Sequence, residues 1–73
     1  MKDVSVTEAW VLSEFRLQRE DAVILATFLE AQYIEGIQDL RYMLQAGLVI
    51  PYEQLERKGL HPSAHRRIQE PIP

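Results

Sequence analysis

Two histidines and a few carboxylates are the residues of this chain best suited to chemistry near neutral pH. His61 and His65 stand four apart. That spacing puts both imidazoles on one face of a helix starting one residue before Pro62, and it can supply two ligands to a metal ion. A third ligand would have to be Glu56 or Glu70, and two ligands rarely suffice. The plainer expectation is that His61 caps a helix and His65 lies on the surface. Glu30, Glu35 and Asp39 are the acid–base candidates. Glu35 and Asp39 fall at i and i+4, close enough to tune each other's ionisation, but on a face expected to meet solvent they make an acidic patch. There is no cysteine, no glycine-rich phosphate loop and no serine in a nucleophile-elbow pattern. The reading is therefore no enzyme, no metal and no cofactor.

Charge is more informative. The net charge is −3, but it divides unevenly. Residues 1–56 carry ten acids and four bases, whereas Arg57, Lys58, Arg66 and Arg67 face only Glu70 in residues 57–73. An acidic body with a short basic end suits a protein partner. An autonomous nucleic-acid binder would carry a strongly basic footprint instead. Arg57 and Lys58 complement the dipole at a helix C-terminus. Arg66 and Arg67, expected early in the last helix, would oppose it. With His65 beside them, they are read as partner contacts. Trp10, Tyr33, Tyr42 and Tyr52 are further candidate interface anchors, since aromatics are enriched at hot spots. For Trp10 and Phe15 core packing is the preferred reading.

These residues need elements to hold them. Ser5 and Glu8 have capping-box spacing, and Trp10, Val11, Leu12 and Phe15 predict a helix over about 6–17. Residues 1–5 are expected to form a mobile or extended arm. Asp21 is a reasonable N-cap, and the apolar run that follows predicts an enclosed central helix over about 21–34. Ile37, Leu40, Met43 and Leu44 share one face of a helix over about 37–46, with Gly47 as the left-handed residue that ends it. Leu48-Val49-Ile50 reads as a short buried link. Pro51 suits the first turn of a helix running to Lys58, with Glu53 and Arg57 as an i,i+4 pair. A last helix starts at Pro62, uses Ile68 as its main apolar contact and ends before Pro71; residues 70–73 form a flexible tail.

Together these spacings predict one all-α domain over residues 1–73, a compact bundle of four to five short helices with a helix-turn-helix-like segment at 37–58. A chain of 73 residues buries only about 60% of its unfolded surface, and without cysteine no disulfide supplements that core. No apolar run approaches the roughly 18 residues of a membrane span, and the N-terminus lacks the apolar core of a signal peptide. A cytoplasmic protein is expected, and the opening Met1 suggests a complete small gene product.

Two short stretches resemble known families. Leu40, Arg41, Tyr42, Gly47, Leu48, Val49 and Pro51 resemble the second helix and following turn of MerR-type helix-turn-helix regulators. That resemblance implies that Arg41 and Tyr42 face a DNA backbone or associated machinery. Leu55, Gly59, Leu60, Pro62, His65, Arg66, Arg67 and Ile68 resemble the end of a sterile alpha motif (SAM) domain, and "GIQDLRYML" upstream is similar to its middle. That family docks a basic end-helix surface on an acidic surface of a partner domain. The resemblance implies Lys58, Arg66 and Arg67 on one side and Glu35 and Asp39 on the other. Both resemblances imply binding, with different partners. The leading expectation is a phage or bacterial regulator acting on RNA polymerase or its factors, with nucleic acid at most an auxiliary contact. The alternative is a SAM-like adaptor.

Overall fold

In the computed structural model, residues 6–70 are described, and they form five helices with no strand among them. These are α1 (Val6–Phe15), α2 (Arg19–Ala31), α3 (Ile37–Gln45), α4 (Tyr52–Arg57) and α5 (Pro62–Gln69). The arm at 1–5, Ser5 of the capping box and the tail beyond Glu70 lie outside the described residues. The all-α bundle expected from the helical spacings is present, with several boundaries moved. α1 ends at Phe15 because Arg16 adopts a left-handed φ of 54°. α2 begins at Arg19, earlier than expected, because the Gln18 carbonyl already accepts the Ala22 N–H at 2.9 Å. Asp21 is consequently not the N-cap. It lies in the first turn of α2, where the helix dipole still favours its carboxylate.

Three helices end in one way. After α2, α3 and α4 the chain closes with a nested pair of backbone hydrogen bonds, the Schellman arrangement. Tyr33 N–H donates to Glu30 O and Ile34 N–H to Leu29 O, each at 3.0 Å. Gly47 N–H donates to Leu44 O at 3.2 Å and Leu48 N–H to Met43 O at 2.9 Å. Gly59 N–H donates to Glu56 O and Leu60 N–H to Leu55 O, each at 3.0 Å. The residue before the last donor must be left-handed: φ is 59° at Tyr33, 113° at Gly47 and 116° at Gly59. The residue after it, Ile34, Leu48 or Leu60, packs on or within the core. Each turn thus stops a helix and delivers an apolar side chain inward.

The core is one cluster. α1 contributes Val11 and Phe15, α2 contributes Ala22, Leu25 and Leu29, and Leu40, Leu55, Ala64 and Ile68 come from the three later helices. The buried α2 positions, with Ala26, follow an i, i+3, i+4, i+7 stripe. α2 is therefore amphipathic, not enclosed: Val23 is 43% exposed, and Thr27, Glu30 and Ala31 face solvent. Its apolar run over-predicted burial because Val23, Ile24 and Leu25 point in three directions on a helix. The link after α3 divides similarly: Ile50 is buried, Leu48 is half-buried and Val49 is 78% exposed. In an extended segment successive side chains alternate sides, so the whole stretch could not turn inward. Ile68, at 0% exposure, anchors α5 as expected. Pro51 occupies the N-cap of α4, one position before the first turn. Glu53 and Arg57 do not pair; among the described residues Arg19 and Glu8 form an ion pair at 3.8 Å, and the His65 ring lies 3.1 Å from the Glu56 carboxylate.

Candidate interaction surfaces

The expected basic cluster is divided by the geometry of α5. Ala64 and Ile68 face the core, and successive helical side chains are about 100° apart. His65 and Arg67 therefore lie on the two flanks of α5, and Arg66 points directly away from the core. On one flank the His65 ring stacks on Tyr52, with centroids 3.7 Å apart and planes at 11°, and its Nδ1 lies 3.1 Å from Glu56 Oε2. Burial pushes the pKa of the Tyr52 hydroxyl above its ordinary value. On the other flank the Arg67 guanidinium donates to the Arg16 carbonyl at 2.6 Å, where the chain turns between α1 and α2. His65 and Arg67 thus hold α5 in place, while Arg57, Lys58 and Arg66 extend into solvent.

One reason for singling out Arg66 and Arg67 is overturned. α5 spans Pro62–Gln69, so both arginines lie in its last turn, where cations complement the dipole. The helix is too short for its sixth residue to count as early. His61 is the N-cap: its Nδ1 accepts the Ser63 N–H at 3.1 Å, and Ser63 Oγ lies 2.8 Å from the same nitrogen. That engages His61 outside the helix and leaves no shared face with His65. No group of three or more histidine, aspartate or glutamate residues suited to a metal ion exists among the described residues.

The acidic pair is also divided. Asp39 Oδ2 accepts the Glu35 backbone N–H at 3.2 Å and so ties down the entry to α3. The Glu35 side chain remains exposed. Arg41 and Tyr42 both stand outside the bundle, Tyr42 at 70% exposure, while Leu40 beside them is fully buried. Trp10 meets Phe15 with ring centroids 6.0 Å apart. It is half-buried, and its Nε1 has no hydrogen-bond partner among the described residues. No helix among the described residues is long and apolar enough to cross a membrane.

Two long-range contacts leave no mark in the sequence, and one candidate aromatic anchor takes an unexpected backbone position. Asp21 is buried, and its Oδ1 accepts the His61 backbone N–H at 3.1 Å. This joins the start of α2 to the start of α5. Arg16 supplies the carbonyl that Arg67 caps. Tyr33 stands in a glycine-type position and is 90% exposed. Only Tyr33 left a sequence signal: Tyr33-Ile34 repeats the pattern of Gly47-Leu48 and Gly59-Leu60, a stop residue followed by an apolar one. No protein-family model, curated protein or solved structure matches the chain.

Proposed function

We propose that this chain is a non-enzymatic regulator that binds a large protein partner, with bacterial transcription machinery, RNA polymerase or one of its factors, as the partner class. The observation that carries the reading is Tyr42, a large aromatic side chain held 70% exposed on a helix whose neighbouring Leu40 is fully buried. Arg41 lies beside it. Tyrosine and arginine are the residue types that anchor protein interfaces, and a rigid helix presents them at little entropic cost. Arg57, Lys58 and Arg66 add exposed cations that favour an acidic partner surface. A net charge of −3 argues against autonomous DNA binding. Transcription machinery is favoured among protein partners by the MerR-like stretch at 40–51, and a cytoplasmic phage or bacterial setting accompanies that reading.

The test is binding of purified bacterial RNA polymerase to the immobilised protein, compared with Tyr42→Ala and Arg41→Ala. Binding by the parent and a loss of at least about tenfold in Tyr42→Ala are expected, as for a hot-spot residue. Absence of binding removes the transcription reading. Equal binding by parent and variants places the contact elsewhere. A labelled DNA duplex at moderate salt is expected to remain unbound.

A further inference from the structure

Three helix ends close with the same pair of backbone hydrogen bonds. At two of them the left-handed residue is glycine, and at the third it is Tyr33, with φ 59°. A side chain at such a position strains the backbone where glycine would not. Tyr33 recovers little of that cost through packing, because the residue is 90% exposed. The fold therefore gives no reason for tyrosine here. The ring borders a groove of about 520 Å³ that it shares with Val6, Glu30, Ile34 and Glu35. Val6 is itself 78% exposed. The charged residues lining the groove are both carboxylates. Neither carboxylate enters an ion pair or accepts a hydrogen bond among the described residues.

We propose that Tyr33, flanked by Glu30 and Glu35 and backed by Val6, is a docking surface for an arginine- or lysine-bearing segment of a protein partner. Charge complementarity selects this occupant. A guanidinium or ammonium over the face of a tyrosine is attracted by the ring quadrupole. A guanidinium can also fork onto a neighbouring carboxylate, and the aliphatic stem of either side chain can lie along Val6. The acidic balance of residues 1–56 attracts a basic segment and repels nucleic acid. The surface uses none of the residues assigned to the partner contact above, so the two readings stand or fall separately.

The experiment titrates the ¹⁵N-labelled full chain with an acetylated hexa-arginine peptide, using hexa-glutamate and an uncharged hexapeptide as controls. Amide shifts are expected over residues 30–35, saturating with hexa-arginine alone. Tyr33→Gly should weaken binding about five-fold, the factor corresponding to one well-placed cation–π contact, while Tyr33→Phe keeps it within about two-fold. Tyr33→Gly relieves backbone strain, so its thermal midpoint should not fall, and weakened binding cannot then be ascribed to unfolding. Glu30→Gln with Glu35→Gln, which keeps the ring, should also weaken binding. The proposal is overturned by no binding, by shifts centred elsewhere, by equal binding of a control peptide, or by unchanged affinity in Tyr33→Gly. Shifts at Tyr33 that depend only on protein concentration also overturn it, since the occupant would then be a second copy of the chain.

Discussion

Replacing Asp21 by alanine should be the most damaging exchange of a polar residue in this domain. Asp21 is 7% exposed, and its carboxylate accepts the backbone N–H of His61 at 3.1 Å. A hydrogen bond to a charged acceptor contributes about 1.5–3 kcal/mol, and its loss leaves the donor unpaired in a partly buried site. The same carboxylate sits in the first turn of α2, where its dipole interaction adds about 0.3–1 kcal/mol. Asp21→Ala should therefore cost about 2–3 kcal/mol. A domain of this length has only about 4–11 kcal/mol in all, so the thermal midpoint should fall by about 8–20 °C. Asp21→Asn keeps an oxygen able to accept the same N–H and loses only the charge, so about 1 kcal/mol is expected. Urea unfolding followed by circular dichroism measures both. If Asp21→Ala lies within about 0.5 kcal/mol of the parent, or if asparagine is as harmful as alanine, the carboxylate does not join the two helix starts as described.

Three further outcomes follow from the same structure. Tyr33→Gly should raise stability by about 0.5–1 kcal/mol in urea unfolding, the relief of left-handed strain less the added entropy of the unfolded glycine; a lower midpoint would show that the ring packs. Arg67→Ala should cost about 1 kcal/mol through loss of the bond to the Arg16 carbonyl, while Arg66→Ala, with no such partner among the described residues, should stay within about 0.5 kcal/mol in the same assay. Burial raises the pKa of Tyr52 above its ordinary value of 10.0, so the unfolded chain ionises first: stability from this group is whole below pH 10 and is lost as pH climbs through its folded value. Tyr52→Phe should remove that alkaline loss while keeping most of the neutral-pH stability, and urea midpoints at pH 8 and about pH 11 for both proteins decide it.

What the sequence made legible was local. Gly47 stopped α3 because glycine followed by an apolar residue is a recognisable helix end. The i,i+3,i+4 spacing of Leu40, Met43 and Leu44 marked the inner face of that helix. Pro62 and His61 announced the start of α5, and Ile68 its anchor. What stayed hidden was relational. Nothing near Asp21 indicates that an amide from His61 will meet it. Nothing near Arg67 indicates that a helix turn ending at Arg16 will present a carbonyl. Tyr33 is legible as an aromatic anchor but only faintly as a helix end, because left-handed helix ends favour glycine so strongly that a tyrosine in the same role is a weak signal. The outward turn of Val23 and Val49 was missed because an unbroken apolar run conceals which member of it faces solvent. The candidate site suffered most, since whether Arg66 or Arg67 is free depends on a partner fifty residues away in the chain.

The bond between the Asp21 carboxylate and the His61 amide also makes one proton a gauge of how two helices meet. That N–H is bonded to a side chain of α2, so its exchange with solvent deuterium requires the bond between α2 and the start of α5 to open. Fraying of α5, or local opening of the loop before it, is not enough while the carboxylate holds. The exchange rate of this amide therefore tracks the contact between α2 and α5, whereas amides at the exposed turns report local motion. If a ligand tightens that contact, slower exchange at His61 will register it, however far from His61 the ligand sits.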